Sequence, residues 1–344
     1  MSAYPLLVSD TGLVTSVGLS CESSCAAIRC GISNFHENYF IDHMANPILV
    51  SSVPLPDPWD RRARLREMLL PALKECFASV PAEALGQVPL LLCVAELDRA
   101  GRLEDLEFLR KDLQDALGST FHHYSRIFTE GKVGVALALR SAQRLLHAAG
   151  GGTRWAIIGS ADSLLLVPTL DEYDAQNRLL TETNSDGFVP GEGAAALLLE
   201  RYTDEKKGFV VQGVGFGLET GVPESGTPPR GHGLMTAVSS ALEEAGLMMN
   251  DVDYRIADIA GEQTSFIEAE LALSRITKSR RVTSEVWHPA DCVGEIGSAA
   301  IPCMLSVARE ACIKGYARGP VVLCHAGNDD GRRAAVIGCY RGND

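Results

Sequence analysis

Two kinds of apolar pattern alternate along this chain: stripes at helical spacing and unbroken runs of strand length. Residues 6–17 read as a strand ending in a turn, with a helix following over 21–30. Leu65, Leu69, Leu73 and Cys76 mark a helix over 61–77, which Pro71 should kink or shorten. The run "VPLLLCVAE" (88–96) has the character of a strand buried on both faces. After it, "GRLEDLEFLRKDLQDALG" reads as an amphipathic helix, with acids early and Gly118 at its end.

Two later blocks share one order. Val135, Ala138, Leu139, Ala142, Leu145, Leu146 and Ala149 form a helical stripe, glycines 150–152 stop it, and "RWAIIGSADS" (154–163) follows as a buried strand. After a loop, "NSDGFVPGEGAAALLLE" opens with Asp186 in a polar turn. Gly187, Phe188, Gly191, Glu192 and Gly193 then lead into another buried strand over 194–199. Near the end, Ile301, Met304, Leu305, Ala308, Ala311 and Cys312 make a stripe punctuated by Gly315 and Gly319, and "PVVLCHAG" and "RRAAVIGCY" follow as paired strands. The recurrence predicts an α/β protein of two similar halves, 1–205 and 206–344, joined at the charged "RYTDEKKG".

Composition narrows the partners. A chain of 344 residues, 46% hydrophobic and 22% charged, is an ordinary globular one. Its formal net charge of −13 argues against nucleic acid or an anionic membrane surface as partner. The basic run "DRRARLR" (60–66) reads as the solvated face of a helix. No apolar stretch is long enough to span a bilayer, and the first residues lack signal-peptide features, so the expected location is the cytoplasm. Ten cysteines are scattered without a C-x-x-C pair or a Cys/His cluster at zinc spacing. They read as reduced and mostly buried, and neither a metal nor a cofactor is expected.

At this point the residues resemble a known family, the β-ketoacyl synthases of the thiolase superfamily. "VSDTGLVTSVG" with "AAIRCGISNF" is similar to the family's opening strand, turn and helix. "DGFVPGEGAAALLLE" is similar to its most specific signature, and "GVGFGLETG" with "GHGLMTAVSSALEEAGLMMNDVDY" to the start of its second half. The resemblance implies a thiolase fold, five-layered α-β-α-β-α, normally assembled as a dimer. It makes "GVGFG" (213–217) a tight strand end, without the spacing of a dinucleotide loop. It also places the exposed Pro/Gly-rich loop "GVPESGTPPRGHG" (221–233) near the pocket mouth.

An active ketosynthase needs a cysteine at the N-terminus of a buried helix, where the helix dipole favours the thiolate, and two histidines that stabilise developing charge. The resemblance places Lys132, or Gly131, at the nucleophile, and no cysteine lies between Cys93 and Cys292. It places Asp258 or Ala260 at the first histidine and Gly294 at the second, with Gly297 starting the following helix. The glycine-rich closing motif is altered to "AGNDDGRR". All three catalytic positions read as lost. A cation at the start of a helix opposes the helix dipole, so Lys132 reads as solvent-facing or compensated by Glu130 or another acid.

Other candidates are weighed beside these. His288, Asp291 and Cys292 could form a relocated catalytic set, although their stretch reads as loop. Glu262, Glu268 and Glu270 would face the former pocket, or simply make a solvated helix start. Three functions follow. The first is a non-catalytic binding protein, a pseudo-enzyme resembling a branch encoded beside type VI secretion genes. It would be an adaptor that loads or folds a secreted effector, as a homodimer or as a heterodimer with a related subunit. The second is a chain-length-factor-like subunit of an active ketosynthase, which would meet a carrier protein. The third is a residual acyltransferase using Cys292.

Overall fold

A computed structural model describes residues 4–56, 60–148, 153–222, 225–277 and 285–342. The first half contains β1 (Leu6–Val14), α1 (Cys21–Arg29), the hairpin β2 (His36–Ile41) and β3 (Pro47–Val50), α2 (Arg61–Phe77), β4 (Leu90–Cys93), α3 (Leu106–Leu117), β5 (Arg126–Phe128), α4 (Gly131–Leu146), β6 (Trp155–Ser163), α5 (Val167–Ala175) and β7 (Glu192–Arg201). The second contains β8 (Gly208–Leu218), α6 (His232–Ala245), β9 (Tyr254–Ala257), α7 (Gln263–Ile276), β10 (Glu285–Trp287), α8 (Ala290–Val293), α9 (Ala300–Ile313), β11 (Val321–Gly327) and β12 (Arg332–Arg341).

Ten strands form one mixed sheet in the order β10-β9-β11-β12-β8-β1-β7-β6-β4-β5. Its two halves meet where Leu6, Leu7 and Val8 of β1 pair with Val211, Val210 and Phe209 of β8. Strands β6 and β7 are buried on both faces, as unbroken apolar runs require. One face looks into an inner core that contains α4 and α9 and draws on strands of both halves. The outer face of the first half is covered by α2 and α3, and that of the second by α6 and α7. The succession is the expected α-β-α-β-α.

Several expectations change. Helix α2 runs through Pro71 without ending, because Met68, Leu69, Ala72, Leu73 and Cys76 on either side of it are fully buried along one face. The run over 88–96 yields only a four-residue strand, Leu90–Cys93. Ala149 and glycines 150–152, which were to end the helix of the first repeat, lie outside the described residues. All ten cysteines are unpaired, with Cys30 exposed, Cys312 half-buried and the other eight buried. No described helix is long and apolar enough to cross a membrane.

The "GVGFG" segment forms the C-terminal part of β8, as the resemblance implied. A Cβ placed on Gly213 would lie 2.0 Å from the Ala241 carbonyl oxygen. On Gly215 it would lie 1.9 Å from that of Ala237, and on Gly217 1.9 Å from that of Gly233. Alternate residues of the strand therefore lie directly against the backbone of α6, which is why they are glycines. Gly215→Ala is expected to destabilise the protein by about 3 kcal/mol through overpacking. Denaturant unfolding monitored by circular dichroism checks this, and an unchanged midpoint would remove the close-approach argument.

Candidate functional site

The start of α4 is the centre of the site. Lys132 lies in its first turn, where the helix dipole disfavours a cation. Its ammonium is met by Asp258 Oδ2 at 3.0 Å and by Glu295 Oε2 at 2.8 Å. The compensating acids thus come from the second half of the chain, not from the neighbouring Glu130. Burial alone would lower the lysine pKa, but these two carboxylates outweigh it and hold the group charged. Burial, then the charge of Asp258, pushes the Glu295 carboxyl up against the pull of Lys132. Two acids share one ammonium.

The surrounding backbone fixes this triad. Asp258 accepts a hydrogen bond from Gly327 N at 3.0 Å, and Glu295 Oε1 accepts one from Gly297 N at 2.8 Å. Asn328 reaches across to the α4 N-terminus, accepting from Val133 N at 3.2 Å and donating to the Glu130 carbonyl at 2.7 Å.

Of the positions aligned with the missing catalytic groups, Lys132 and Asp258 are in direct contact. Gly131 adopts φ 56 and lies against Glu96, and Ala260 packs beside a small apolar cluster that includes Phe188. Gly294 is a turn residue with φ 70, whose Cβ would lie 2.7 Å from the Val189 carbonyl oxygen. Glu295, the next residue, supplies the side chain that reaches the site, which sequence reasoning missed by one position.

The triad borders a cavity of about 700 Å³. Arg178 crosses its wall. Its Nε and Nη2 each donate to Glu262 at 2.8 Å, and Nη2 lies 3.0 Å from Asp329, which also accepts from the Tyr173 hydroxyl. Glu268 lies beside the cavity, paired with Arg333 at 2.7 and 2.9 Å. Glu270 does not face it; its side chain is exposed and lies 3.4 Å from Arg255. The loop residues Gly221, Val222 and Gly226–Pro229 line the mouth, where the resemblance placed them, although Pro223 and Glu224 lie outside the described residues.

The stretch 186–193 frames this cavity from behind. Asp186 accepts from Gln263 N at 2.7 Å, at the start of α7. A Cβ on Gly187 would lie 2.5 Å from the backbone of Leu179, and one on Gly191 2.6 Å from the Val293 carbonyl oxygen. Phe188 is buried and Gly193 lies against Val14. Glu192 accepts from Val53 N at 3.0 Å, Ser163 Oγ at 2.9 Å and the Arg64 guanidinium. Arg64 therefore turns inward from "DRRARLR", correcting the reading of that run as a wholly solvated face: a buried acid inside the fold claims it.

The relocated set does not assemble. Cys292 Sγ is directed at the Ile28 carbonyl at 3.8 Å, and burial with Asp291 nearby pushes its thiol up to about 11. The His288 ring packs edge-on against Phe266, and burial lowers its pKa. No hydrogen bond joins Cys292 to His288 or Asp291 among the described residues. Nor do three or more His, Cys, Asp or Glu side chains converge there to hold a metal.

Comparison with known proteins bears on this geometry. A structure of the ketosynthase ApeO in complex with its chain length factor ApeC from Xenorhabdus doucetiae is similar over 98% of both chains, with TM-score 0.74 and 16% identity. The ishigamide ketosynthase/chain length factor matches 99% of this chain and 100% of its own, with TM-score 0.78 and 15% identity. The chain has the thiolase-like ketosynthase fold. A β-ketoacyl synthase from Burkholderia phymatum STM815 covers 100% of both chains, with TM-score 0.72 and 18% identity. In sequence, the chain is 29% identical over 120 residues to a putative mitochondrial 3-oxoacyl-[acyl-carrier-protein] synthase of Schizosaccharomyces pombe, covering 34% of this chain and 28% of that protein. It is 27% identical over 165 residues to nodulation protein E of Rhizobium meliloti, covering 44% of this chain and 41% of that one. The matches thus span less than half of these curated relatives. No family model matches the chain.

Removing the shared cation tests the triad. Lys132→Met leaves two buried carboxylates facing each other and is expected to cost about 3–5 kcal/mol at neutral pH. The Glu295 carboxyl, already pushed up by burial, then loses the cation that opposes that rise. Its folded-state pKa lies above its unfolded value, so the loss shrinks as pH falls and the folded protein takes up a proton. Thermal unfolding at about pH 7 and about pH 5 checks this; an equal loss at both would mean that the triad is not the cause.

Proposed function

We propose that this chain is a non-catalytic ketosynthase-like subunit that acts through binding. The observation that supports this reading is the Lys132 ammonium, held by Asp258 and Glu295 where the resemblance places a cysteine. A protonated, doubly paired amine is not a nucleophile at neutral pH. The Cys292 thiol, with its pKa at about 11, leaves only about one thiolate in ten thousand at neutral pH.

Within this reading, a chain-length-factor-like role beside an active ketosynthase has the most support. Its basis is the similarity over nearly the whole chain to structures described as pairs of ketosynthase and chain length factor. The partner would then be a related thiolase-fold chain, with a carrier protein meeting the pair. The second reading is an adaptor for a secreted effector, suggested by the resemblance to proteins encoded beside type VI secretion genes. What favours it is that ion pairs such as Arg178–Glu262 and Arg333–Glu268 share the cavity wall with its apolar residues, where a growing acyl chain would need a mostly apolar lining.

Affinity purification from the cell that makes the protein separates the two. An active ketosynthase and a carrier protein in the eluate support the first role, and a secreted effector without either supports the second. The purified chain is expected to stay unlabelled by a cerulenin-type probe under conditions that label an active ketosynthase. Labelling that disappears in Cys292→Ala would overturn the non-catalytic reading in favour of a residual acyltransferase.

A further inference from the structure

A second cavity, of about 520 Å³, opens between the β2–β3 hairpin, the start of α2 and the loop from β4 into α3. It adjoins the cavity beside Lys132 at Arg99, which lines both and is held by Asp162 and Glu96. The acidic and basic side chains of its wall are Arg61, Arg64, Arg99, Arg102, Asp162 and Glu192. Arg64 pairs with Glu192 and Arg99 with Asp162, so both acids are taken. Arg61 and Arg102 pair with no acid among the described residues. Arg61 Nη1 donates to the Gly101 carbonyl at 2.8 Å, against the peptide unit that leads into Arg102. Arg102 donates only to carbonyls of its own loop, those of Leu97 and Leu103. In a chain of net charge −13, two guanidinium groups are thus gathered at one loop without a counter-ion.

A second observation is independent of charge. Leu55, Leu65, Leu103, Leu106, Leu165 and Leu166 all line the same cavity, and each is only half-buried. Leu65 stands four residues after Arg61, on the same face of α2, and Leu103 follows Arg102 directly. Apolar surface is therefore left uncovered inside a concavity, next to the unpaired cations.

We propose that this cavity binds a carboxylate carried on an apolar body, with the carboxylate at Arg61 and Arg102 and the apolar part along the leucines. A guanidinium offers a carboxylate two parallel N–H donors. A small inorganic anion would leave the leucines uncovered, and an uncharged lipid would leave both guanidinium groups without a partner. A cation would be repelled. The site uses neither Lys132 nor a thioester, so it goes beyond the functional reading above and does not rest on it.

Calorimetry on the full chain tests it with octanoate, and with butyrate, 1-octanol and octylammonium for comparison. Octanoate is expected to bind saturably at one site, more weakly as salt rises. Butyrate, with too short a stem to cover the leucines, should bind at least about tenfold more weakly. Octanol and octylammonium should fall as far behind, since neither brings a negative charge to the arginines. In the double variant Arg61→Gln/Arg102→Gln, octanoate should weaken at least about tenfold while octanol is unchanged. Melting curves should show that variant folded, because a cation at the start of a helix does not stabilise it. Absence of saturable heat from octanoate, equal affinity for any of the three comparison molecules, or unchanged octanoate affinity in the folded double variant would overturn the proposal. Probe labelling at Cys292 would instead overturn the non-catalytic reading and leave the calorimetric result standing.

Discussion

A buried helix that begins with a lysine is the constraint around which the centre of this molecule is organised. The positive end of α4 repels the Lys132 ammonium, so two carboxylates must be delivered to it. They come from segments that lie far along the chain, one after β9 and the other between α8 and α9. Each is tied by a backbone N–H, of Gly327 or of Gly297, so that neither is free to leave. Packing alone would bring α4 and α9 together; the charge arrangement fixes which turns of backbone meet there.

The same logic extends outward. Asn328 joins the α4 N-terminus to the turn after β11, and Asp162 accepts from Ser298 N at 2.9 Å to join β6 to the start of α9. Glu192 draws Arg64 in from α2. Asn328 and Asp162, with several bonds each, therefore pin the second half to the first, while Glu192 ties elements within the first. Removing one member of such a group leaves the others buried and unpaired, which costs more than the group's net contribution to stability.

Much of this was legible in the residues. The stripes of α4 and α9 and the runs of β6, β7, β11 and β12 announced themselves through periodicity, and the glycines and Glu192 of residues 186–193 marked a tight corner. Lys132 and Asp258, each read as one of two alternatives, are the two that the structure brings into contact. What escaped was long-range. Nothing local to Glu295 shows that it, rather than Gly294, reaches a lysine on another helix. Arg64 looks solvated until its buried acid partner is seen. The glycines of β8 were legible as part of a strand, but not their reason, because the backbone of α6 that they lie against comes later in the sequence. Local pattern specifies elements; pairings among charges depend on which elements meet.

The central place of β1 in the ten-stranded sheet has a consequence for the order of events during synthesis. This strand is made before both its neighbours, β7 and β8, which are separated from it by every element from α1 to α5. At about 5–20 residues per second, it waits roughly ten seconds or more with its apolar residues unpaired. A strand made well before its neighbours is thus completed only after they have appeared. The nascent chain must keep that strand from other partners until its own have emerged.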